Sequence, residues 1–443
     1  MEGPVILSRE IERFAAEVQS LTPTTCGPTL EAYFTRLEGL DPAAVDLGDV
    51  RAHGVPTAHQ AFSAALAVHR HLQTFAVEGT LEASCLQGIR RHDLATRYLI
   101  DHLVEVLPPG ERPPEWLVNP SFSFADPLRD LRSGDVLVTR AELISSAGIA
   151  HMGRLDSQFS HNALVRVDPE SGDVWVVEAY LESGGIVEPL ARFLEHGLGR
   201  VVVLRPRDPA LGARAAEAAF ARIRHGKRIP YDAAFDASDP TALFCSEVPG
   251  WAYGPLLGLP LTIPRSPTVF EKAKNAALYA AMGISVDITS APADILFDPT
   301  FDVVAEWRDA TAIGILRRHD AVVESAMHWM EDEGYVLTVG PGERLTVGIG
   351  KFVRAIPLVG LSLRKKLSPG LDADFLATSL ALQNGAAALD AALVDQLATR
   401  QSGEILTYGE LRRGLEQLRV ADLAIWTSDP DDATFHRWLH PSP

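Results

Sequence analysis

Cysteine is scarce in this chain: Cys26, Cys85 and Cys245 are the only three in 443 residues. Their spacings suit neither the dense framework of a disulfide-stapled domain nor a C-x-x-C metal clip. The expectation is therefore a reducing compartment, with no metal and no other cofactor. Basic residues are also short, with 40 Lys and Arg against 58 Asp and Glu, for a formal net charge of −18. Nucleic-acid backbones are held by clustered Lys and Arg, so a general nucleic-acid binder is excluded. No run of about 18 uninterrupted apolar residues is present, the minimum for a membrane-spanning helix. The first ten residues lack the basic start and apolar core of a secretory signal. Together these absences predict a cytoplasmic protein, with secretion by a signal-less route left open.

What is present is ample apolar material, 47% of residues, in a chain too long for one ordinary core. Two or three domains are expected. In residues 8–107 apolar side chains recur three and four apart, as in Ile11, Phe14, Ala15 and Val18 and in Phe62, Ala65, Leu66 and Leu72, which predicts a helical N-terminal region over 1–118. His53, His59, His69, His71 and His92 crowd there. Residues two apart point to different helix faces, so His69 and His71 read as solvated histidines rather than as metal ligands.

The Pro-rich stretch 108–114 marks a boundary. Beyond it, 135–139, 161–167, 173–180 and 200–205 are short, β-branched and bounded by Gly, Pro or Asp, as strands are. Asp208-Pro209 opens a helix running to about Arg224. A central domain over 119–300 and a mainly helical C-terminal region over 301–443 follow. The latter has helices at 320–333 and at 411–418, with a capping-box start from Thr407 to Glu410. Within it, 344–371 carries six basic residues and no acidic one. Apolar residues interleaved with Lys351, Arg354, Arg364, Lys365 and Lys366 suit peripheral contact with an anionic membrane, or equally a solvated patch that pairs with the acidic remainder.

The chemistry concentrates in three residues in the order His161, Glu178, Cys245. His161 opens a β-branched run, Glu178 lies in the strand that follows, and Cys245 sits where an apolar loop enters a helix. A thiol needs a base to become a thiolate, and the base needs an orienting partner. A cysteine at a helix start is near the positive end of the dipole and free N–H groups, which favour thiolate. His161 would take the proton, Glu178 would fix the imidazole tautomer, and the Cys245 amide would serve an oxyanion. Tyr231, Ser246 and Glu247 are candidate substrate or oxyanion contacts, and His151 is the rival base. Cys26 and Cys85 read as buried small hydrophobes. Pro249, four residues after Cys245, fits only a first helical turn, so the helix there is expected to be short or bent.

Several segments carry a family likeness in order: Arg132-Ser133-Gly134-Asp135-Val136-Leu137, Phe159-Ser160-His161-Asn162-Ala163, Val177-Glu178-Ala179, Gly185 to Leu190, Tyr231 to Phe235, Phe244-Cys245-Ser246-Glu247-Val248 and Pro292-Ala293-Asp294. With them, residues 125–300 resemble the circularly permuted papain-like cysteine hydrolases, the YiiX/YebB-like branch of the NlpC-type superfamily, related to lecithin retinol acyltransferase. In the unpermuted papain order the cysteine precedes the histidine; here the histidine leads. The resemblance implies an α+β fold with a permuted papain-like core built on an antiparallel sheet, flanked by helical N- and C-terminal regions. It also implies a Cys245-His161-Glu178 triad that cleaves an amide of peptide or cell-wall type through a thioester. A lipid acyl-ester hydrolase or acyltransferase would use the same residues, and a catalytically idle binding protein is the reading from another class. The substrate would carry an amide or acyl group; whether a protein partner exists is left open by the sequence.

Overall fold

The computed structural model describes residues 6–38, 47–152, 157–181, 183–239, 241–270, 272, 276–355, 372–398 and 408–442. Four helices open the chain: α1 (Leu7–Gln19), α2 (Cys26–Glu38), α3 (Leu47–Val77) and α4 (Ala83–Val106). Their apolar spacing explains their packing. In α1 the residues at three- and four-residue intervals, Leu7, Ile11, Phe14 and Val18, are the buried ones.

The core is one seven-stranded sheet in which every neighbouring pair is antiparallel. Its strands are β1 (Trp116–Val118), β2 (Val136–Ala141), β3 (His161–Val167), β4 (Val174–Tyr180), β5 (Gly184–Pro189), β6 (Leu198–Pro206) and, after a small hairpin of β7 (Thr268–Val269) and β8 (Ile288–Thr289), β9 (Phe301–Arg308). The order across the sheet is β1-β9-β6-β2-β3-β4-β5. The sheet thus draws β1 from the N-terminal region and β9 from beyond residue 300, so both flanks are stitched into it.

Local chemistry explains several segments. Asp208 caps the helix Pro209–His225 by accepting hydrogen bonds from the N–H groups of Ala210 and Leu211. Gly134 adopts φ +97, and a Cβ there would lie 2.4 Å from Gly212 of that helix, so only glycine lets the chain pass. The next residue, Asp135, is gripped by Arg205 at 2.9 and 2.7 Å. Asp294 accepts from Arg90 of α4 at 2.7 Å and from Thr268 at 2.8 Å, tying the segment after β8 to the first helices. The C-terminal region is helical at Ile313–Asp332, Pro341–Ala355, Ala373–Ala398 and Tyr408–Ser428.

A row of three arginines crosses the middle of the sheet. Arg140 pairs in register with Arg200, and Arg200 with Arg308. Like charges opposite one another repel, yet all three are buried. Acids from both flanking regions separate them. Asp101 of α4 accepts from Arg200 at 2.7 Å and from Arg308 at 2.8 Å. Asp320 of the helix Ile313–Asp332 accepts from Arg140 at 2.8 Å and from Arg200 at 3.1 Å. Glu306 pairs with Arg308 at 3.0 Å and with Arg97, which also meets Asp93.

Three expectations are corrected. Cys26 and Cys85 form a disulfide, with Cα atoms 5.0 Å apart. The reason is a close crossing of α2 and α4: a Cβ on Gly27 would lie 2.9 Å from Ser84, and one on Gly88 would lie 3.0 Å from Leu30. This pairing runs against the reducing setting expected, because disulfides persist mainly in oxidising compartments. His69 and His92 are not solvated. Burial pushes His69 down to about 4 and His92 down to about 3, and His69 lies 3.6 Å from Asp93. Of the basic patch, Lys351 and Arg354 fall on the helix Pro341–Ala355, whereas Arg364, Lys365 and Lys366 lie outside the described residues, as does Thr407 of the capping box. Among the described residues no helix is long and apolar enough to cross a membrane.

Candidate active site

The sheet brings the imidazole and the carboxylate together. Leu164 of β3 pairs with Val177 of β4, and continuing that register sets His161 across from Tyr180. Side chains alternate faces along a strand, so His161, Glu178 and Tyr180 share one face. The His161 Nε2 lies 2.8 Å from Glu178 Oε2. The His161 and Tyr180 rings stack at 4.8 Å with an 11° interplanar angle, and Phe193 lies tilted at 6.4 Å from the imidazole. The ring is thereby fixed in both plane and direction.

Cys245 arrives from the opposite side along an ordered approach. Tyr231 bridges to Leu243, and the Asp232 and Leu243 amides donate to Leu243 and Pro230 carbonyls at 3.1 and 3.0 Å. Phe244 is fully buried and packs edge-on against Phe235 at 5.5 Å. Phe235 itself sits at φ 55, in a turn whose Ala234 and Asp236 amides donate to the Asp232 carboxylate. Ser246 then stands at the N-terminus of the seven-residue helix Glu247–Tyr253 without a side-chain cap. Pro249 is its third residue, where a missing N–H costs nothing, and the helix is short as its position implies.

The thiol of Cys245, 4% exposed, donates to the Ser160 carbonyl oxygen at 3.8 Å, beside His161. Burial pushes the Cys245 thiol up, but the hydrogen bond and charge of His161, with the N–H and hydroxyl of Ser246, outweigh it and hold the thiol below its ordinary value. Burial pushes Glu178 up to about 7, against hydrogen bonds from Glu188 and Tyr180.

The structure therefore gathers Cys245, His161, Glu178 and Ser246. It places His151 elsewhere: that ring is buried, 3.8 Å from Asp320, beside the arginine row. Glu247 accepts the Phe244 N–H at 3.4 Å, and burial with the charges of Asp232, Asp239 and Asp236 pushes it up to about 8. Its carboxyl thus braces the turn carrying Cys245. Tyr231 holds the strand-like approach and packs beside the aromatic cluster of Phe235, Phe244 and Phe270.

Three neighbours were not singled out from sequence. Glu188 faces Val176 in the β4–β5 register while Glu178 faces Ile186, so the two carboxyls are diagonal neighbours on one face. His196 Nε2 lies 3.3 Å from Glu188 Oε1, and its Nδ1 lies 2.7 Å from the Tyr180 hydroxyl. Glu178, Glu188 and His196 bring one oxygen or nitrogen each within 4.8 Å of one another, a spacing a cation would need. Glu178 is already engaged by His161 and His196 by Tyr180. The signal in the sequence was the tight β4–β5 hairpin, in which counting two positions on from Ile186, the partner of Glu178, reaches Glu188.

The sheet thus carries the histidine and the acid on adjacent strands, and the cysteine follows later in the chain just ahead of a short helix. Residues 130–261 match the model of the permuted papain-like amidase family, YaeF/YiiX, C92. No curated protein and no solved structure matches the chain.

Proposed function

We propose that this protein is a cysteine amidase whose nucleophile is Cys245, whose base is His161 and whose orienting acid is Glu178. The observation that carries the reading is a convergence: the His161 ring is held by Glu178 at 2.8 Å, and the Cys245 thiol donates to the carbonyl of Ser160, the residue next to His161, at 3.8 Å. The amidase description of the family supports amide over ester as the bond broken.

In the reaction, the thiol proton passes to His161 and Cys245 Sγ attacks the amide carbonyl carbon. Negative charge collects on the carbonyl oxygen, for which the Cys245 N–H serves as the proposed donor. Collapse breaks the C–N bond, His161 gives its proton to the departing amine, and a thioester remains. Water then attacks the thioester carbon, losing its proton to His161. The C–S bond breaks, releasing a carboxylic acid and restoring the thiol. Glu178 keeps Nε2 of His161 protonated throughout, so that Nδ1 does the exchange.

The test is labelling with a thiol-reactive acyl probe, compared between the wild type and Cys245→Ala. Label on the wild type alone is the expected result. Equal labelling of both discards the nucleophile.

A further inference from the structure

Around Glu178 the side chains leave metal-binding atoms that no described neighbour uses. Glu178 gives Oε2 to His161 Nε2 at 2.8 Å, and its Oε1 is buried without a hydrogen bond from any described residue. Glu188 Oε1 is buried in the same condition. His196 turns Nδ1 to the Tyr180 hydroxyl at 2.7 Å. With Nδ1–H donating to that oxygen, Nε2 keeps its lone pair, the tautomer that a metal-binding histidine takes. Nε2 then stands 3.3 Å from Glu188 Oε1 with no hydrogen bond between them. Among the described residues neither carboxyl pairs with a lysine or arginine, and Arg192, whose charge reaches Glu188, pairs with Glu195 at 2.7 Å. A buried carboxylate oxygen without a donor is costly, and here two such oxygens stand on the neighbouring strands β4 and β5.

We propose that Glu178, Glu188 and His196 bind one divalent cation of the zinc class, with water in the fourth position. One atom from each residue lies within 4.8 Å of the other two. Zinc bonds of about 2.0–2.1 Å give a tetrahedron whose edge is about 3.3 Å, and that is the separation of His196 Nε2 from Glu188 Oε1. Ligands of one ion aim at the ion rather than at each other, which suits a contact of this length that makes no hydrogen bond. An imidazole with two carboxylates favours zinc over magnesium or calcium, which take all-oxygen shells. Two carboxylates also balance the charge of the ion, so the buried end of the site becomes neutral. Glu178 is fully buried, whereas the His196 side chain is 28% exposed, so the ion and its water reach the site from the His196 side. The assignment goes beyond the reaction proposed above and does not depend on Cys245. Its one link to that reaction is Glu178, which would hold the cation with one oxygen and His161 with the other.

The experiment titrates zinc chloride into the full chain, first stripped with a chelator and dialysed, in competition with a chromophoric zinc dye. Wild type, Glu188→Gln, His196→Ala and Cys245→Ala are compared, the last because Cys245 is the free thiol and thiolates bind zinc. One zinc per chain is expected in the wild type and in Cys245→Ala. Affinity should fall in Glu188→Gln and in His196→Ala by at least the roughly 10- to 100-fold that loss of a ligand's supporting partner costs. Zinc should also raise the melting transition of the wild type, and that rise should be lost in the same two variants. Cobalt in place of zinc should give the visible bands of a four-coordinate nitrogen and oxygen site with no thiolate charge-transfer band, a signature read on the wild type without any variant. The site is overturned by a wild type that takes no zinc from the dye, or by wild-type affinity in either Glu188→Gln or His196→Ala. Zinc lost in Cys245→Ala, with a thiolate band on cobalt, overturns it too. Failure of the triad shows separately, as acyl-probe labelling that Cys245→Ala does not remove.

Discussion

Along the row Arg140, Arg200 and Arg308 each guanidinium meets a carboxylate, whereas around Glu178 the carboxyls meet each other. Both clusters are buried on the same sheet, and Gln158, three residues before His161, donates to Asp101 at 3.2 Å, so the two nearly touch. Their electrostatics are opposite. Arg140 and Arg200 hold Asp320 far below the ordinary carboxylate range despite its burial, while Glu178, with no arginine beside it, is driven up to about 7. A buried acid with a permanent cation is a fixed charge that clamps helices to strands. A buried acid with only histidines and another acid for company can change its proton with its surroundings, which is what proton transfer needs.

The comparison can be broken most sharply at His161. His161→Ala should lower kcat/KM for an amide substrate about a thousandfold or more, with little change in unfolding free energy, because the ring packs on one face against Tyr180 and belongs to no arginine pair. Asp320→Asn should do the reverse. It leaves Arg140 and Arg200 short of a buried partner and should cost about 3–5 kcal/mol in denaturant unfolding, while Cys245 labelling per folded molecule stays near wild type.

A smaller effect lies in the pH dependence of stability. Glu178 has a folded pKa above its unfolded value, so its carboxyl holds a proton in the native state when the unfolded chain has lost it. Its contribution is therefore most favourable below the ordinary carboxylate range and declines as pH rises to about 7. Glu178→Gln should remove that decline, on the order of 2 kcal/mol across pH 5 to 7. Asp320 has the opposite sign: its stabilisation is complete above the ordinary carboxylate range and is lost only in strong acid. Unfolding curves of Glu178→Gln that keep the wild-type slope would erase the contrast. The smallest effect concerns charges that sequence places far from any acid. We propose peripheral membrane contact for 344–371, and Lys365→Glu with Lys366→Glu should weaken co-sedimentation with anionic liposomes by about 1 kcal/mol per reversed charge at low salt.

Sequence reading reached the reactive cluster more readily than the clamp. His161, Glu178 and Cys245 each stand in a segment whose local pattern names its structure, and the antiparallel register does the rest. The clamp gives no such cue. Asp93, Arg97, Asp101 and Glu105 recur every four residues along α4, the pattern of a solvated helix face with intrahelical pairs, and only the sheet laid against it turns that face into an interior. Arg140, Arg200 and Arg308 likewise sit at strand positions where a lone charge reads as an edge. The Cys26–Cys85 pair was hidden because its proximity depends on how two helices cross at Gly27 and Gly88, which no spacing along the chain encodes.

That pair has a bearing on biosynthesis. Both of its sulfurs lie in the first four helices, and a chain that emerges N-terminus first exposes them to each other long before the reactive thiol leaves the ribosome. Order of synthesis thus favours that pairing, and Cys245 joins a scaffold whose other two sulfurs are already bonded to each other.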